Sequence, residues 1–505
     1  MSVSTDYPAQ SHTAASSGAA SYRTLWRWHF YAAIFVMPLL VVLAITGTIY
    51  CFQPQIEPLL YPGRLVVEPA ATPRLSEDAL LARATAAMPP GSRALRASIE
   101  TDPRRSAEFV FALPGDDKQS VYLNPYDGAV LGTLSVEHRF MQVDRMIHRK
   151  LLLGKPGELL MELAACWTLV MIGTGVALWW PRTPSTLGQS LLPRFAQRGR
   201  PFWKSLHAAL GIWLAAGAVA FVLTGLPWSG SWGRQFKAIA TQASLGSPRR
   251  ARTQLQSTPP AAPMTMAQSM AMGHTMPMGN HTGPHAHAQA QSGSGKGDDS
   301  MPGMIMDDLP LPQAPWAVGD TAVPHSHVEA LPASLPIERV MAIAKSRGVT
   351  GDYDVVLPAT PAGVYTVSRF PADPQRERTL HIDRYSGAVL EDIGYQEYGP
   401  VSKAVAYGTS LHMGRYFGLA NQIVCATISL GLVAMVVTGC AMWWLRRPAR
   451  ALGAPARPRG IAPMRAWKTG LVVLGIVFPL MGSTMLVVWV IDRAIFGRTA
   501  QRLAS

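Results

Sequence analysis

The stretch HFYAAIFVMPLLVVLAITG, residues 29–47, decides how the rest of the chain is read. It is apolar throughout except for His29 at its start and Thr46-Gly47 at its finish. Residues 207–225, HAALGIWLAAGAVAFVLTG, repeat the frame: His207 and, seventeen residues later, Thr224-Gly225. A helix rises ~1.5 Å per residue, so about 20 apolar residues cross the ~30 Å of a bilayer's hydrocarbon. Both stretches read as membrane spans. Three further windows have the same character, and the spans are set at about 29–52, 157–180, 205–228, 418–445 and 468–491.

The whole chain agrees. Of 505 residues, 48% are apolar, an ordinary share, but only 15% are charged, and the five nearly uncharged windows exclude a purely soluble enzyme. Two polar, domain-sized stretches between the windows argue against a fully embedded transporter. The net charge of +14 invites a nucleic-acid partner, but its placement points to the membrane. Residues 181–204 carry Arg182, Arg194, Arg198, Arg200 and Lys204 without an acid; residues 446–468 carry Arg446, Arg447, Arg450, Arg457, Arg459, Arg465 and Lys468, again without one. Short basic loops stay in the cytoplasm. The expected topology puts a tail (1–28) and loops 181–204 and 446–467 inside. Residues 53–156, 229–417 and the tail 492–505 lie outside, in the periplasm of a bacterial inner membrane. The partners are a lipid bilayer and no nucleic acid.

The repeat extends further. Ile147-His148 is followed 26 residues on by Thr174-Gly175 and then Trp179-Trp180; Leu411-His412 is followed at the same offsets by Thr438-Gly439 and Trp443-Trp444. Tyr122-Leu-Asn-Pro-Tyr-Asp-Gly128-Ala-Val-Leu131 answers His381-Ile-Asp-Arg-Tyr-Ser-Gly387-Ala-Val-Leu390, each reading as strand, glycine turn, strand. A helical stretch precedes each, at 76–88 and 335–347. The expected fold class is thus a polytopic α-helical membrane protein of about five spans. A span, α+β domain, span unit is used twice as a parallel tandem repeat, with the extracytoplasmic domains at 53–156 and 335–417. The fifth span, with Pro479, has no counterpart. Residues 246–336, rich in Pro, Gly, Ser, Gln, Met and His, are expected to be mostly disordered.

Histidines in or beside a membrane are costly unless paired or coordinated. His29 and His207 share one depth, and His148 and His412 share another. Two histidines of equal depth on two helices suit axial ligation of haem, and two such pairs suit two stacked haem b groups. Interfacial anchoring of helix ends is the plainer alternative, as it is for the tryptophan pairs. The Thr-Gly pairs allow close helix or macrocycle approach, or serve packing alone. Four cysteines, Cys51, Cys166, Cys425 and Cys440, read as small apolar fill. Met264, Met266, Met270, Met272, His274, Met276, Met278, His281, His285 and His287, followed by Met301, Met304, Met306, His325 and His327, form a set of soft ligands suited to copper. No GxGxxG, P-loop or HExxH is present, so electrons would come from a quinol or a separate cytoplasmic reductase.

Trp28-His29 with Thr46-Gly47, Leu411-His412-Met-Gly414 with Gly418, the Thr-Gly and Trp-Trp endings and the two Tyr-x-Gly-x-Val turns resemble the PepSY-associated transmembrane proteins. These include iron-regulated inner-membrane proteins and a periplasmic siderophore reductase. The resemblance implies PepSY-like outer domains and a haem protein passing electrons outward to a periplasmic metal chelate. Ferric siderophore is the first expectation and Cu(II) the second. His148 departs mildly from the pattern, being followed by Arg149-Lys150 where the second copy has Met413-Gly414. A copper-buffering protein without redox work and a peptidase-modulating module are the alternatives.

Overall fold

The computed structural model describes residues 11–115, 117–181, 187–248, 304–326, 334–448 and 465–502. Among the described residues, four helices are long and apolar enough to span a membrane: Ser21–Cys51 of α1 (Ser11–Cys51), Gly154–Trp179 (α6), Arg200–Trp228, most of it α8 (Arg200–Gly225), and Leu419–Trp444 (α12). Their mean hydropathy runs from 1.7 to 2.5. Packing is cyclic: α1 lies against α6 and α12, and α8 against the same two, so α1 and α8 face each other diagonally. Ala32, Val36 and Leu40 of α1, Cys166, Trp167 and Val170 of α6, and Val222 of α8 fill the centre.

The fifth apolar window is divided rather than continuous. It forms two shorter helices, α13 (Arg465–Val477) and α14 (Pro479–Arg502), separated at Phe478. Pro479 has no N–H and its ring clashes with the preceding turn, so the helix breaks there. The backbones of Gly475 and Gly482 then come into contact, with no room for a side chain at Gly482. Trp167 donates to Thr484 at 3.0 Å and fixes the broken helix to α6.

Outside the bundle, two four-stranded meanders make one antiparallel sheet. The first is β1 (Arg93–Ile99), β2 (Ala107–Ala112), β3 (Lys118–Leu123) and β4 (Val130–Ser135); the second is β5 (Tyr353–Val356), β6 (Tyr365–Arg369), β7 (Arg378–Ile382) and β8 (Val389–Gly394). The order is β4-β3-β2-β1-β5-β6-β7-β8, and β1 pairs with β5 through Arg96↔Val356 to Ile99↔Tyr353. The two polar stretches, read separately from sequence, therefore build a single layer. Helices α4 (Glu77–Ala86) and α10 (Ile337–Ser346) cover one face, and one core joins Leu80, Ala84, Phe109, Phe111, Val121 and Leu123 to Ile337, Val340, Val355, Val367, Leu380 and Ile382. Asp78 of α4 also accepts from the amides of Ile337 (2.8 Å) and Glu338 (3.1 Å), capping the partner helix that Pro336 leaves bare.

Strand alternation turns a polar set to the other face. Arg96 lies 3.7 Å from Glu108 and 3.4 Å from Asp354, bridging the β1–β5 seam. Arg139, 3.5 Å from Glu108 and 2.6 Å from Glu57, carries this network to α2 (Gln53–Leu60), the continuation of α1. Sheet and bundle are thus tied by buried charge as well as by chain.

The expectation of disorder over 246–336 is corrected in part. Residues 304–326 pack on β8: Met306 is fully buried with Val318, Ile393 and Tyr398, and Trp316 donates to the Pro227 carbonyl at 3.0 Å. A thioether buried among apolar side chains is core, so Met306 leaves the list of metal ligands. Met264, Met266, Met270, Met272, His274, Met276, Met278, His281, His285 and His287 lie outside the described residues, as do Met301 and His327.

Candidate functional site

The chain breaks after α5 (Phe140–Lys150) and after α11 (Pro400–His412) place two of the histidines. Leu151 (φ 52°) and Leu152 (φ 59°) are left-handed, as are Gly154 in the first break and Gly414 and Gly418 in the second. An L-side chain in that region costs ~1–2 kcal/mol, so the leucine pair is held by its surroundings. Helix α5 therefore does not run on into α6. His148 folds back beside α1, level with Thr46, where a continuous helix would have carried it beyond the end of the span.

Four histidines then sit in the same small environment. His29 Nδ1 lies 3.0 Å from Thr174 Oγ1, His207 Nδ1 2.9 Å from Thr438 Oγ1, His148 Nδ1 2.9 Å from Thr46 Oγ1, and His412 Nδ1 2.9 Å from Thr224 Oγ1. Each threonine hydroxyl also donates to a carbonyl of its own helix, for example Thr174 to Val170 at 2.8 Å and Thr224 to Ala220 at 2.6 Å. With its proton spent, the hydroxyl oxygen accepts, so the imidazole donates through Nδ1–H and keeps its lone pair on Nε2. The glycine after each threonine makes the room. A Cβ at Gly175 would meet His29 Cε1 at 3.2 Å, at Gly47 His148 Cε1 at 3.2 Å, at Gly225 His412 Cε1 at 3.3 Å, and at Gly439 His207 Cε1 at 3.6 Å. Sequence left packing and close approach open for these pairs; their geometry is that of an imidazole cradle.

The cradled rings face one another in two pairs. His29 and His207 have ring centres 6.3 Å apart, on the side away from the sheet; His148 and His412 are 6.5 Å apart, on the sheet side. Two metal–imidazole bonds of about 2 Å, each with about 1 Å more to the ring centre, put trans ligands roughly 6 Å apart. The spacing and the free Nε2 atoms fit one metal between each pair. The seventeen residues from His29 to Thr46 separate the two levels by about 25 Å along α1.

The sheet-side pair opens on a cavity with about 1590 Å³ of empty space, counting the part open to solvent. Leu40, Leu43, Met161 and Val222 form apolar walls, and Arg145, Arg149 and Gln313 stand with the histidines. Burial, with His412 and Arg149 adding to it, pulls His148 down to about 3, and burial pulls His412 down to about 4. Both rings are neutral at physiological pH, the state a metal requires. Cys51 and Cys425, read as apolar fill, both turn to the His412 carbonyl, at 3.8 and 3.9 Å. Among the described residues no cluster of three or more His, Cys, Asp or Glu stands ready to hold a metal ion.

A four-helix bundle carrying paired, hydrogen-bonded histidines beneath a single antiparallel sheet defines the class: a membrane protein with a sheet domain outside its spans. The chain belongs to the PepSY-associated TM region family, which matches residues 26–446. A search of curated proteins finds no match.

Proposed function

We propose that this protein is a transmembrane oxidoreductase holding two haem b groups. His29 and His207 ligate one, and His148 and His412 the other. In this reading the sheet faces the periplasm of an inner membrane, the two halves descend from one duplicated unit, and electrons pass outward to a periplasmic metal complex. A ferric siderophore is the first substrate and Cu(II) the second. The single observation that supports it most is the fourfold His–Thr–Gly unit, which gives four half-buried imidazoles one tautomer and pairs them at 6.3 and 6.5 Å.

Haem iron, when bound, supplies a one-electron carrier. The chain's own residues do the rest. Thr46, Thr174, Thr224 and Thr438 hold the proton on Nδ1 and fix each ring's rotation, as outer-shell partners do in metal sites. The apolar walls of the sheet-side cavity keep water from the ring edges. Nothing in the sequence resembles a nicotinamide site, so the donor is a quinol or a cytoplasmic reductase.

The test is a reduced-minus-oxidised visible spectrum of the purified protein with haem quantified. Two low-spin b-type haems per chain are expected, with His29→Ala and His412→Ala each removing about one. A haem-free protein with all four histidines intact sinks the reading and favours copper buffering by the Met/His-rich segment.

A further inference from the structure

The sheet-side cavity contains two arginines that make no ion pair within 4 Å among the described residues, with Glu158 and Asp307 acting on Arg149 only from further away. Arg145 and Arg149 flank His148 on α5, and all three line the cavity. Arg145 donates to the Pro312 carbonyl at 2.6 Å and Arg149 to the Trp228 carbonyl at 3.4 Å. Carbonyls orient a guanidinium but leave its charge in place. Arg145 Nε is buried without a hydrogen-bond partner. The two acids of the cavity wall are engaged elsewhere. Glu162 accepts from the amides of Ser231 (2.8 Å) and Trp232 (3.1 Å), and Glu158 sits 3.9 Å from Lys150 Nζ. Two half-buried guanidinium groups on one cavity wall, with carboxylates only at a distance, favour an anion between them.

The rest of the lining describes that anion. Leu40, Leu43, Ala44, Met161 and Val222 are apolar, and both arginines come from one helix. The complementary ligand is broad and apolar with anionic groups along one edge, as a dicarboxylate tetrapyrrole is. Arginine meets carboxylate through two parallel hydrogen bonds, which fixes direction as well as position.

We propose that Arg145 and Arg149 bind the two carboxylates of the tetrapyrrole held by His148 and His412, turning its anionic edge toward the 304–326 segment. This rests on the haem reading above. Because His148 shares α5 with both arginines, one helix would supply both a histidine that holds the group and the cations that meet its carboxylates. Pro312, held by Arg145, and Gln313 then cover that edge.

The test titrates haem and haem dimethyl ester into the haem-depleted full chain carrying His29→Ala and His207→Ala, which leaves only the sheet-side site. The same titrations on the unsubstituted chain, fitted as two phases, guard against misfolding of that background. The diacid is expected to bind at least about tenfold more tightly than the diester, since hydrogen bonds to charged groups carry that much. Arg145→Met and Arg149→Met each remove most of that preference, and Arg145→Lys and Arg149→Lys restore part of it. Equal affinity for diacid and diester overturns the proposal. So does unchanged haem affinity in the methionine variants with a raised KM for an anionic ferric chelate, which assigns the arginines to the acceptor instead. Failure to take up either haem form, in a chain folded by circular dichroism, sinks the haem reading itself and this proposal with it.

Discussion

Replacing Thr224 by valine probes the cradle most sharply, because it removes one oxygen and keeps the shape. The Thr224 methyl packs on Gly408, where a Cβ would come within 2.9 Å of it, and valine retains that contact. What is lost is the acceptor 2.9 Å from His412 Nδ1. A net hydrogen bond is worth about 1 kcal/mol, and a buried donor left unmatched costs about 1–3 kcal/mol. The Phe221 carbonyl also bonds His412, which takes up part of the loss. The expected cost therefore sits near 1.4 kcal/mol, or about tenfold in affinity for an axially bound metal, at the low end for outer-shell partners. Haem titration of the full chain in detergent reads it directly, with the sheet-side phase weakening and the other unmoved. The midpoint potential of the weakened centre should also rise, since an imidazole with a poorer Nδ1 partner donates less to iron. Affinity within twofold of the parent together with an unchanged potential refutes the claim that threonine orients the ligand.

Alanine at the four glycines should grade with the clearance each leaves: Gly47→Ala and Gly175→Ala, at 3.2 Å, displace their imidazoles and cost a haem each, while Gly439→Ala, at 3.6 Å, is nearly neutral; haem per chain decides. The folded values of His148 and His412, about 3 and 4, lie below the ordinary 6.5, so the unfolded chain binds protons first and the stability these rings confer is lost as pH falls from 6.5 toward 4. Thermal unfolding of the haem-free protein should show that loss, and His148→Gln with His412→Gln should flatten it; an identical pH slope in the double variant counts against it. Arg96→Met leaves Asp354 without its ion pair and Glu108 with Arg139 alone at the β1–β5 seam, and should cost about 2 kcal/mol, seen as earlier proteolysis of the sheet; unchanged protease resistance contradicts it.

The spans and the matched histidines were legible because they rest on local signals: apolar runs of a given length and residues at fixed offsets. Orientation of the rings was not, because it depends on contacts such as Thr174 with His29, 145 residues apart. The same limit hid the joined sheet. Each meander advertises its own hairpin through a glycine turn, but pairing of β1 with β5 crosses more than 250 residues and leaves no periodic trace. Arg96 and Asp354, on separate meanders, form the seam. Composition misled in one place. The Met-rich character that suggested disorder continues to Met306, whose neighbours Ala317, Val318, Ile393 and Tyr398 supply a core, and only packing separates a ligand methionine from a buried one.

The division of labour between the halves carries the most weight for function. Every orienting bond stays within a half: His29 with Thr174 and His148 with Thr46 in the first, His207 with Thr438 and His412 with Thr224 in the second. Every facing pair crosses between them. One half alone can thus preset the tautomer and rotation of two imidazoles, yet it completes neither centre. The joined sheet and the diagonal approach of α1 and α8 bring the prepared rings together at two levels at once. A bundle assembled for packing alone would have no reason to spend a threonine, a glycine and a half-buried histidine at each of four matched positions.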